Sequence, residues 1–148
     1  MDWRENSSAM FKKAQSRLFF LRKLRSFDVS RPLLHMFYQS ILASVLFYAV
    51  VCWGNGLKTE DKNKINKLIR KAGSIIGVMP DPLEKILDKR MGQKIRRIMN
   101  CVDHPMQTVF SALKSSFSDR LLMPTPLNTE RFRKSFVPAA VRYFNENC

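Results

Sequence analysis

The sequence predicts an all-α fold, a small helical bundle of about five helices with a loop-rich carboxy-terminal third. Apolar residues recur at intervals of three and four along most of the chain, which is the period of an amphipathic helix. Glycine and proline cluster at a few points between these periodic segments. Residues 32–57 carry no formal charge and lie between two basic amphipathic segments. This contrast predicts a central helix that is covered by its neighbours.

The composition indicates a folded protein with an anionic partner. The chain has 148 residues, which is enough for one modest core. Lys and Arg number 26 against 12 Asp and Glu, so the formal net charge is +14. An excess of this size attracts polyanions, and nucleic acid or an anionic membrane surface is therefore the expected class of partner.

The cysteines and the amino terminus favour an intracellular protein, either nuclear or cytoplasmic. Cys52, Cys101 and Cys148 are odd in number and widely spaced, unlike the cysteines of a disulfide framework. Charged residues interrupt every apolar run within residues 1–25, so no signal-peptide core is expected there.

The first two helices are separated by a short turn. Helix one is predicted from Ser7 or Ser8, where a hydroxyl can cap free amides, to about Ser26. Helix two is predicted to begin at Ser30 and to run as one helix to Gly54–Gly56.

Two amphipathic helices follow. The third is predicted from Thr59 to Gly73–Gly77, with two acidic residues in its first turn near the positive end of the helix dipole. The fourth is predicted over residues 83–102, with Asp81 as its cap, and its apolar seam extends to Val102.

The sequence predicts less regular structure in the last third of the chain. A shorter helix is expected over residues 106–114, and a loop over 115–128, where Ser, Pro and Asn cluster. A final helix is expected over residues 137–145, with a proline in its first turn.

These elements group into three parts, a three-helix unit, two further helices, and a loop with a terminal helix, which cover residues 1–78, 79–114 and 115–148. The predicted core is made of apolar residues from the first three helices. They are Phe11, Leu18, Leu33, Phe37, Ile41, Val45, Ile65, Leu68 and Ala72.

The charge-free helix has a rival explanation, because about 20 apolar residues also suffice to cross a bilayer. The span 33–53 has nearly that length. Four polar residues weigh against this interpretation: His35, Gln39, Ser40 and Ser44. Basic residues also flank both ends, which defines no clear orientation in a membrane. The pattern favours a buried helix and keeps a single membrane span as the alternative.

The sequence contains no pattern typical of a catalytic site. His35 and His104 are the only histidines, and the His-x-Asp pairing of a non-haem iron site is missing. No glycine-rich loop of the kind that holds a nucleotide is present. Cys101 and His104 have the spacing of half a zinc site, but the other ligands would have to come from far apart. We therefore expect no enzyme activity, no metal and no cofactor.

Basic stripes point instead to nucleic acid. Lys64, Lys67 and Lys71 are spaced so that three ammonium groups project along one side of helix three. Helices one and four also carry an excess of cations, and their summed field favours a phosphate backbone. The expected partner is the backbone of RNA, DNA or an RNA/DNA hybrid.

Several separated motifs also follow one another in a specific order. They are Trp3, residues 12–24 (KKAQSRLFFLRKL), Phe37-Tyr38, residues 48–53, residues 63–72 (NKINKLIRKA), His104-Pro105, residues 131–140 (RFRKSFVPAA) and Asn145. Together they resemble the carboxyl-terminal part of LINE-type, non-LTR retrotransposon reverse transcriptases, closest to elements abundant in fish genomes. This resemblance spans nearly the whole chain.

In that family the corresponding segment looks like the thumb and post-thumb helices, which grip the template and primer backbone. The resemblance implies the palm of a reverse transcriptase as a possible partner. The family's metal-binding Asp-Asp motif and its endonuclease domain are missing, so no polymerase activity is expected of this chain. The basic positions in the matching motifs are implied to bind nucleic acid. These are Lys12, Lys13, Arg17, Arg22, Lys23, Lys64, Lys67, Arg70, Lys71, Arg131, Arg133 and Lys134.

A shorter segment, Phe11 to Phe27, also resembles the basic amino-terminal helix of the AlkB homologue that modifies tRNA. That family includes 2-oxoglutarate-dependent dioxygenase and tRNA methyltransferase activities, but they reside in other domains. The alternative interpretation is a protein like that amino-terminal domain, without those activities. A further alternative is an interaction protein or relic whose apolar patch once faced a palm domain.

Overall fold

The computed structural model describes residues 3–125 and 129–147, with side chains described from residue 8 onward. Within these ranges the protein is all-α, as predicted, with one isolated antiparallel bridge between Lys114 and Leu121. The helices are α1 (Trp3–Ser26), α2 (Arg31–Phe37), a π-helical segment (Tyr38–Ala43), α3 (Ser44–Leu46), α4 (Val50–Trp53), a 3₁₀ turn (Gly54–Gly56), α5 (Thr59–Ile76), α6 (Leu83–Asn100), α7 (Gln107–Ala112), α8 (Glu130–Arg133) and α9 (Phe136–Asn147).

The described chain forms two compact units. The first comprises Met1–Val50 and Leu57–Lys85, and the second comprises Val51–Gly56 and Ile86–Cys148, each over its described residues. The division at residues 78 and 114 stays a prediction.

The first unit is built on α1. Ala14, Leu18 and Leu21 of this helix are almost completely buried. The helix begins at Trp3, so the predicted start at Ser7 or Ser8 is wrong. No glycine or proline interrupts residues 3–10, and the two serines therefore lie inside a helix that continues through them.

The second predicted helix is not continuous, and this is a correction. Its α-helical hydrogen bonding changes to a π-helical segment at Tyr38–Ala43. The chain then leaves the helix at Phe47 to Ala49, and Ala49 adopts a positive φ of 47°. A short helical turn, α4, resumes after this break. Neither glycine nor proline marks the break, so it could not be predicted from residue types.

The buried face of this segment is shifted by one residue from the predicted face, since it begins at Leu34 and not at Leu33. The buried residues are Leu34, Tyr38, Leu42, Ala43, Leu46 and Phe47. Leu33 belongs to the predicted core, but its side chain is 55% exposed. Phe37, Ile41 and Val45 are only half-buried. Apolar residues recur at four-residue intervals from both Leu33 and Leu34, so the sequence pattern does not distinguish which of the two series is covered.

The π-helical segment explains how residues at strict four-residue intervals share one side. In an α-helix of about 3.6 residues per turn, each such step rotates the side chain by about 40°. A π turn is wider, and it reduces this drift where Tyr38 and Leu42 must both face the core. The segment therefore keeps its large apolar side chains against α1.

The stretch Arg31–Gly56 is also the one stretch of the described residues that is long and apolar enough to cross a membrane, by length and composition only. Core helices of soluble proteins pass the same test. His35, Gln39, Ser40 and Ser44, the polar residues that weigh against a membrane span, are all exposed.

The third and fourth predicted helices correspond to α5 and α6. Gly77 ends α5 with a φ of 78°, and its N–H donates to the carbonyl of Gly73. At the start of α6, the N–H of Leu83 donates to Oδ1 of Asn66 over 2.8 Å. Asp81, the predicted cap, has an ion pair with Lys85 at 2.8 Å. An amide from α5 therefore helps to fix the beginning of α6.

The apolar seam of α6 is buried from Leu83 to Ile98. Val102 is predicted to extend this seam, but its side chain is 83% exposed because the helix ends at Asn100. The seam residues Met91, Ile95 and Ile98 contribute to the core of the second unit together with Phe110, Leu121 and residues 139–141.

Asn145, near the end of α9, is joined by two hydrogen bonds to Leu121. Its side-chain amide donates to the carbonyl of Leu121 and accepts from the N–H of Leu121, both over 2.9 Å. Leu121 lies within the predicted loop 115–128 and is buried. The last residues of that predicted loop, 126–128, lie outside the described residues. The short helix α8 is not predicted by the sequence pattern.

Tyr38 supplies a test of the first unit. The residue is 2% exposed, and its hydroxyl has no hydrogen-bond partner in the described part of the chain. Burial, with a smaller contribution from the charge of Asp81, raises the pKa of Tyr38 from 10.0 to about 12. We expect Tyr38→Phe to stabilise the protein by about 1 kcal/mol, because it removes a buried unsatisfied hydroxyl. Urea denaturation measures this difference.

The same substitution has a pH signature. A raised pKa in the folded state gives a contribution that is present below pH 10 and lost as the pH rises towards 12. The parent protein should therefore lose more stability than Tyr38→Phe over that interval. Tyr48→Phe serves as the control, because Tyr48 is 80% exposed. A destabilised Tyr38→Phe would show that the hydroxyl has a partner.

Candidate nucleic-acid interface

Helices α1 and α5 pack side by side in the same direction. Ser8 and Phe11, near the start of α1, line one cleft with Lys64 and Ile65 of the first half of α5. Near the other end of both helices, the guanidinium of Arg25 donates to the carbonyl of Ile75. The amino-terminal ends of α1 and α5 therefore lie together, and so do their carboxy-terminal ends.

This parallel packing aligns cations of the two helices. Arg22 lies about one turn before Arg25, and Lys71 about one turn before Ile75, so Arg22 and Lys71 stand at a similar height. Both side chains are exposed. Lys12, Lys13 and Lys23 of α1 are exposed as well. The fold thus brings two of the predicted basic sets, on α1 and α5, onto one unit.

The lysine stripe of α5 is not uniform. Lys64 has an ion pair with Asp61, with Nζ and Oδ1 3.4 Å apart. The ion pairs found among the described residues do not involve Lys67, Arg70 or Lys71, and all three are exposed. The positive potential of this stripe is therefore strongest in the second half of α5.

Arg17 differs from the other predicted site residues. It is half-buried, and its guanidinium donates to the carbonyl of Ile41 in the π-helical segment over 3.4 Å. Arg25, which is not among the predicted residues, makes the corresponding contact to α5. These two arginines hold the neighbouring elements against α1, although the sequence motif implies nucleic-acid binding for Arg17.

The third basic set lies in the second unit and is described by itself. Arg131, Arg133 and Lys134 are exposed at α8, which begins with the Thr129 side chain accepting the N–H of Phe132 over 3.1 Å. Lys134 has an ion pair with Glu130 at 2.8 Å. The hydrogen bond from Lys134 lowers the pKa of Glu130 below its usual range.

Exposed aromatic residues on α1 are missing from the sequence-based site candidates. Phe19 and Phe20 are 56% and 54% exposed, and Phe27 just after the helix is 72% exposed. The signal is present in the sequence, because Phe19 and Phe20 fall outside the stripe of Ala14, Leu18 and Leu21.

The half zinc site suggested by sequence spacing has no further ligands in the described part of the chain. No group of three or more His, Cys, Asp or Glu that could hold a metal ion occurs there. His104 has a local structural contact instead, since its Nδ1 accepts the N–H of Met106 over 3.1 Å.

Comparison with known families gives one partial match. Residues 3–44 match the model of a family described as alkylated DNA repair protein alkB homolog 8, N-terminal. The matched segment contains α1, α2 and the π-helical segment, which is less than a third of the chain. This segment is similar to that amino-terminal family, in agreement with the resemblance of Phe11 to Phe27. Neither the curated proteins nor the solved structures gave a match.

The structural role of Arg17 can be tested against a neighbour on the same helix. We expect Arg17→Met to lower the free energy of unfolding by about 0.5–1.5 kcal/mol, because it removes a hydrogen bond to a backbone carbonyl and keeps the apolar stem. Lys13→Met removes the same charge from an exposed position and should change stability by less than about 0.5 kcal/mol. Equal effects of the two substitutions in urea denaturation would contradict this role.

Proposed function

We propose that the chain is a non-catalytic module that binds the sugar-phosphate backbone of nucleic acid through the cationic side of α1 and α5. The observation that carries this proposal is the parallel packing of the two helices, which places Arg22 and Lys71 at a similar height on adjacent helices. Lys67 and Arg70 extend the same charge along α5.

The binding mechanism is electrostatic. Lysine and arginine side chains replace the counterions condensed on the phosphates, and the release of those ions drives association. Contacts of this kind position a backbone without reading bases, so the cationic side tolerates any sequence. The formal net charge of +14 adds long-range attraction for RNA, DNA or an RNA/DNA hybrid.

The finer form of the proposal is a thumb-like fragment of a LINE-type reverse transcriptase. The ordered motifs from Trp3 to Asn145 support it, and the palm of such an enzyme is then the expected protein partner. In this form the chain grips template and primer while the polymerase chemistry belongs to the palm.

The family match supports a second candidate, an AlkB-homologue amino-terminal-domain-like protein. The matched model is named for a DNA repair protein, but it represents only that protein's amino-terminal part. On this candidate, residues 3–44 again form a basic helical module without dioxygenase or methyltransferase activity. Both candidates assign α1 to a nucleic-acid-associated protein.

The cationic stripe of α5 gives the decisive test. We expect the triple variant Lys64→Gln, Lys67→Gln, Lys71→Gln to bind an RNA/DNA hybrid more weakly than the parent chain. Each phosphate that is no longer neutralised should reduce the slope of log affinity against log salt by roughly 0.9, so the full change should be about 2 to 3. Fluorescence anisotropy at several salt concentrations measures both quantities.

The matched control removes three cations from the second unit, with Lys89→Gln, Lys114→Gln and Arg120→Gln. These side chains are exposed and lie outside α1 and α5. The control should keep most of the salt slope. If the two triple variants weaken binding equally, net charge alone accounts for it, and the α1–α5 interface is wrong.

A single membrane span is a different class of function, favoured by the length and composition of Arg31–Gly56. Flotation with liposomes in a density gradient distinguishes it from the backbone-binding proposal. We expect the chain not to float with neutral liposomes at high salt, because several large apolar side chains of this stretch are buried and the stretch packs on α1. Flotation that persists in high salt would favour the membrane span.

A further inference from the structure

A groove lies on the side of α1 that faces the π-helical segment. Its volume is about 590 Å³. Aromatic residues of α1 and its following turn form one wall, and Phe37 and Ile41 form the other. All these residues belong to the first unit and to the segment that matches the alkB homolog 8 amino-terminal family.

The groove presents rings to solvent. Phe19, Phe20 and Phe27 line it, and each keeps more than half of its surface exposed. The rings of Phe19 and Phe20 are 5.9 Å apart at an interplanar angle of 72°, so they expose differently oriented surfaces. Three large apolar side chains left exposed on one short segment form a patch that is typical of a binding site.

The charged residues that line the groove, Arg17 and Lys23, are both cationic. The chain from Ser8 to Phe27 contains six cations and no acidic residue. Lys23 lines the groove, and its Nζ lies 6.0 Å from the centre of the Phe27 ring. The opposite wall comes from the uncharged segment after Arg31. The groove therefore has one basic aromatic wall and one neutral apolar wall.

We propose that this groove binds the bases of single-stranded nucleic acid by stacking them on Phe20 and Phe27. A single strand presents phosphates on one side and flat apolar bases on the other, which complements these two walls. This inference rests on the proposed backbone binding and adds that the ligand is single-stranded. Phosphates lie along the cations of α1, and the bases turn into the groove.

Helical geometry makes one strand able to reach both features. Lys12 and Lys23 are both exposed on α1, and Lys23 also lines the groove. Residues 12–26 span roughly 21 Å of helix, a length that suits a strand of several nucleotides. A duplex keeps its bases paired inside and cannot stack them on the phenylalanines.

The experiment compares three labelled probes of equal length, about 12 nucleotides. They are an oligothymidylate, an abasic strand with the same phosphates, and a DNA duplex. Anisotropy titrations at about 50 mM NaCl, where phosphate contacts are strong, give their affinities for the whole chain. We expect the oligothymidylate to bind at least about 25-fold more tightly than the abasic strand, because two stacked bases should each contribute about fivefold or more.

Variants test whether the rings are responsible. Phe20→Leu and Phe27→Leu keep apolar bulk but remove the aromatic face, so each should weaken oligothymidylate binding at least about fivefold and leave abasic binding unchanged. Phe27→Trp keeps an aromatic face and should bind as tightly as the parent chain. Phe117→Leu is the matched control, because Phe117 is fully exposed in the second unit. Thermal melts of every variant confirm that the fold is kept.

The outcomes separate this inference from the proposed function. Equal affinity for the normal and abasic strands overturns stacking and leaves backbone binding intact. Failure of the folded protein to bind any probe at low salt overturns both. Vesicles of anionic phospholipid are a further probe. Stacking is overturned in favour of a membrane surface under two conditions: the parent chain binds the vesicles more tightly than oligothymidylate, and the leucine variants bind each of these ligands as tightly as the parent does.

Discussion

The structure of the first unit depends on how the apolar stripe of α1 is shared between two neighbours. One edge of the stripe packs on α5, and the other packs on the segment from Arg31 to Leu46. Ala14 and Leu21 are completely buried between them. Arg17 and Arg25 secure these contacts on the two sides, each by donating to a backbone carbonyl. Because α1 is covered on two edges, its remaining side faces solvent with its cations and phenylalanines.

This arrangement concentrates positive charge on a surface that has few compensating carboxylates. The acidic residues of α5 lie in its first turn, where they complement the helix dipole and where Asp61 pairs with Lys64. Lys67, Arg70 and Lys71 lie further along α5 and are not part of the ion pairs found among the described residues. Mutual repulsion between such cations opposes folding, and a bound polyanion relieves it. Under the proposed function, binding of a polyanion would therefore stabilise this unit.

The second unit also separates an apolar core from a basic surface, and hydrogen bonds join its last helix to an earlier segment. In the motif RFRKSFVPAA, the apolar half contributes Ala139 and Ala140 to the core, while Arg131 and Arg133 remain at the surface. Asn145 then joins α9 to Leu121 by two hydrogen bonds. This motif thus has a structural half and a basic half.

The sequence alone determined the all-α class, the bounds of α5 and its buried face, because polar and apolar residues alternate there with a clear helical period. It also determined which side chains are cationic, but not which of them are neighbours. Tertiary structure decided the break at Phe47 to Ala49 and the burial of Leu34 instead of Leu33, because apolar residues recur at four-residue intervals from both leucines. It also decided that α1 and α5 run in parallel, since that depends on contacts between residues some fifty positions apart.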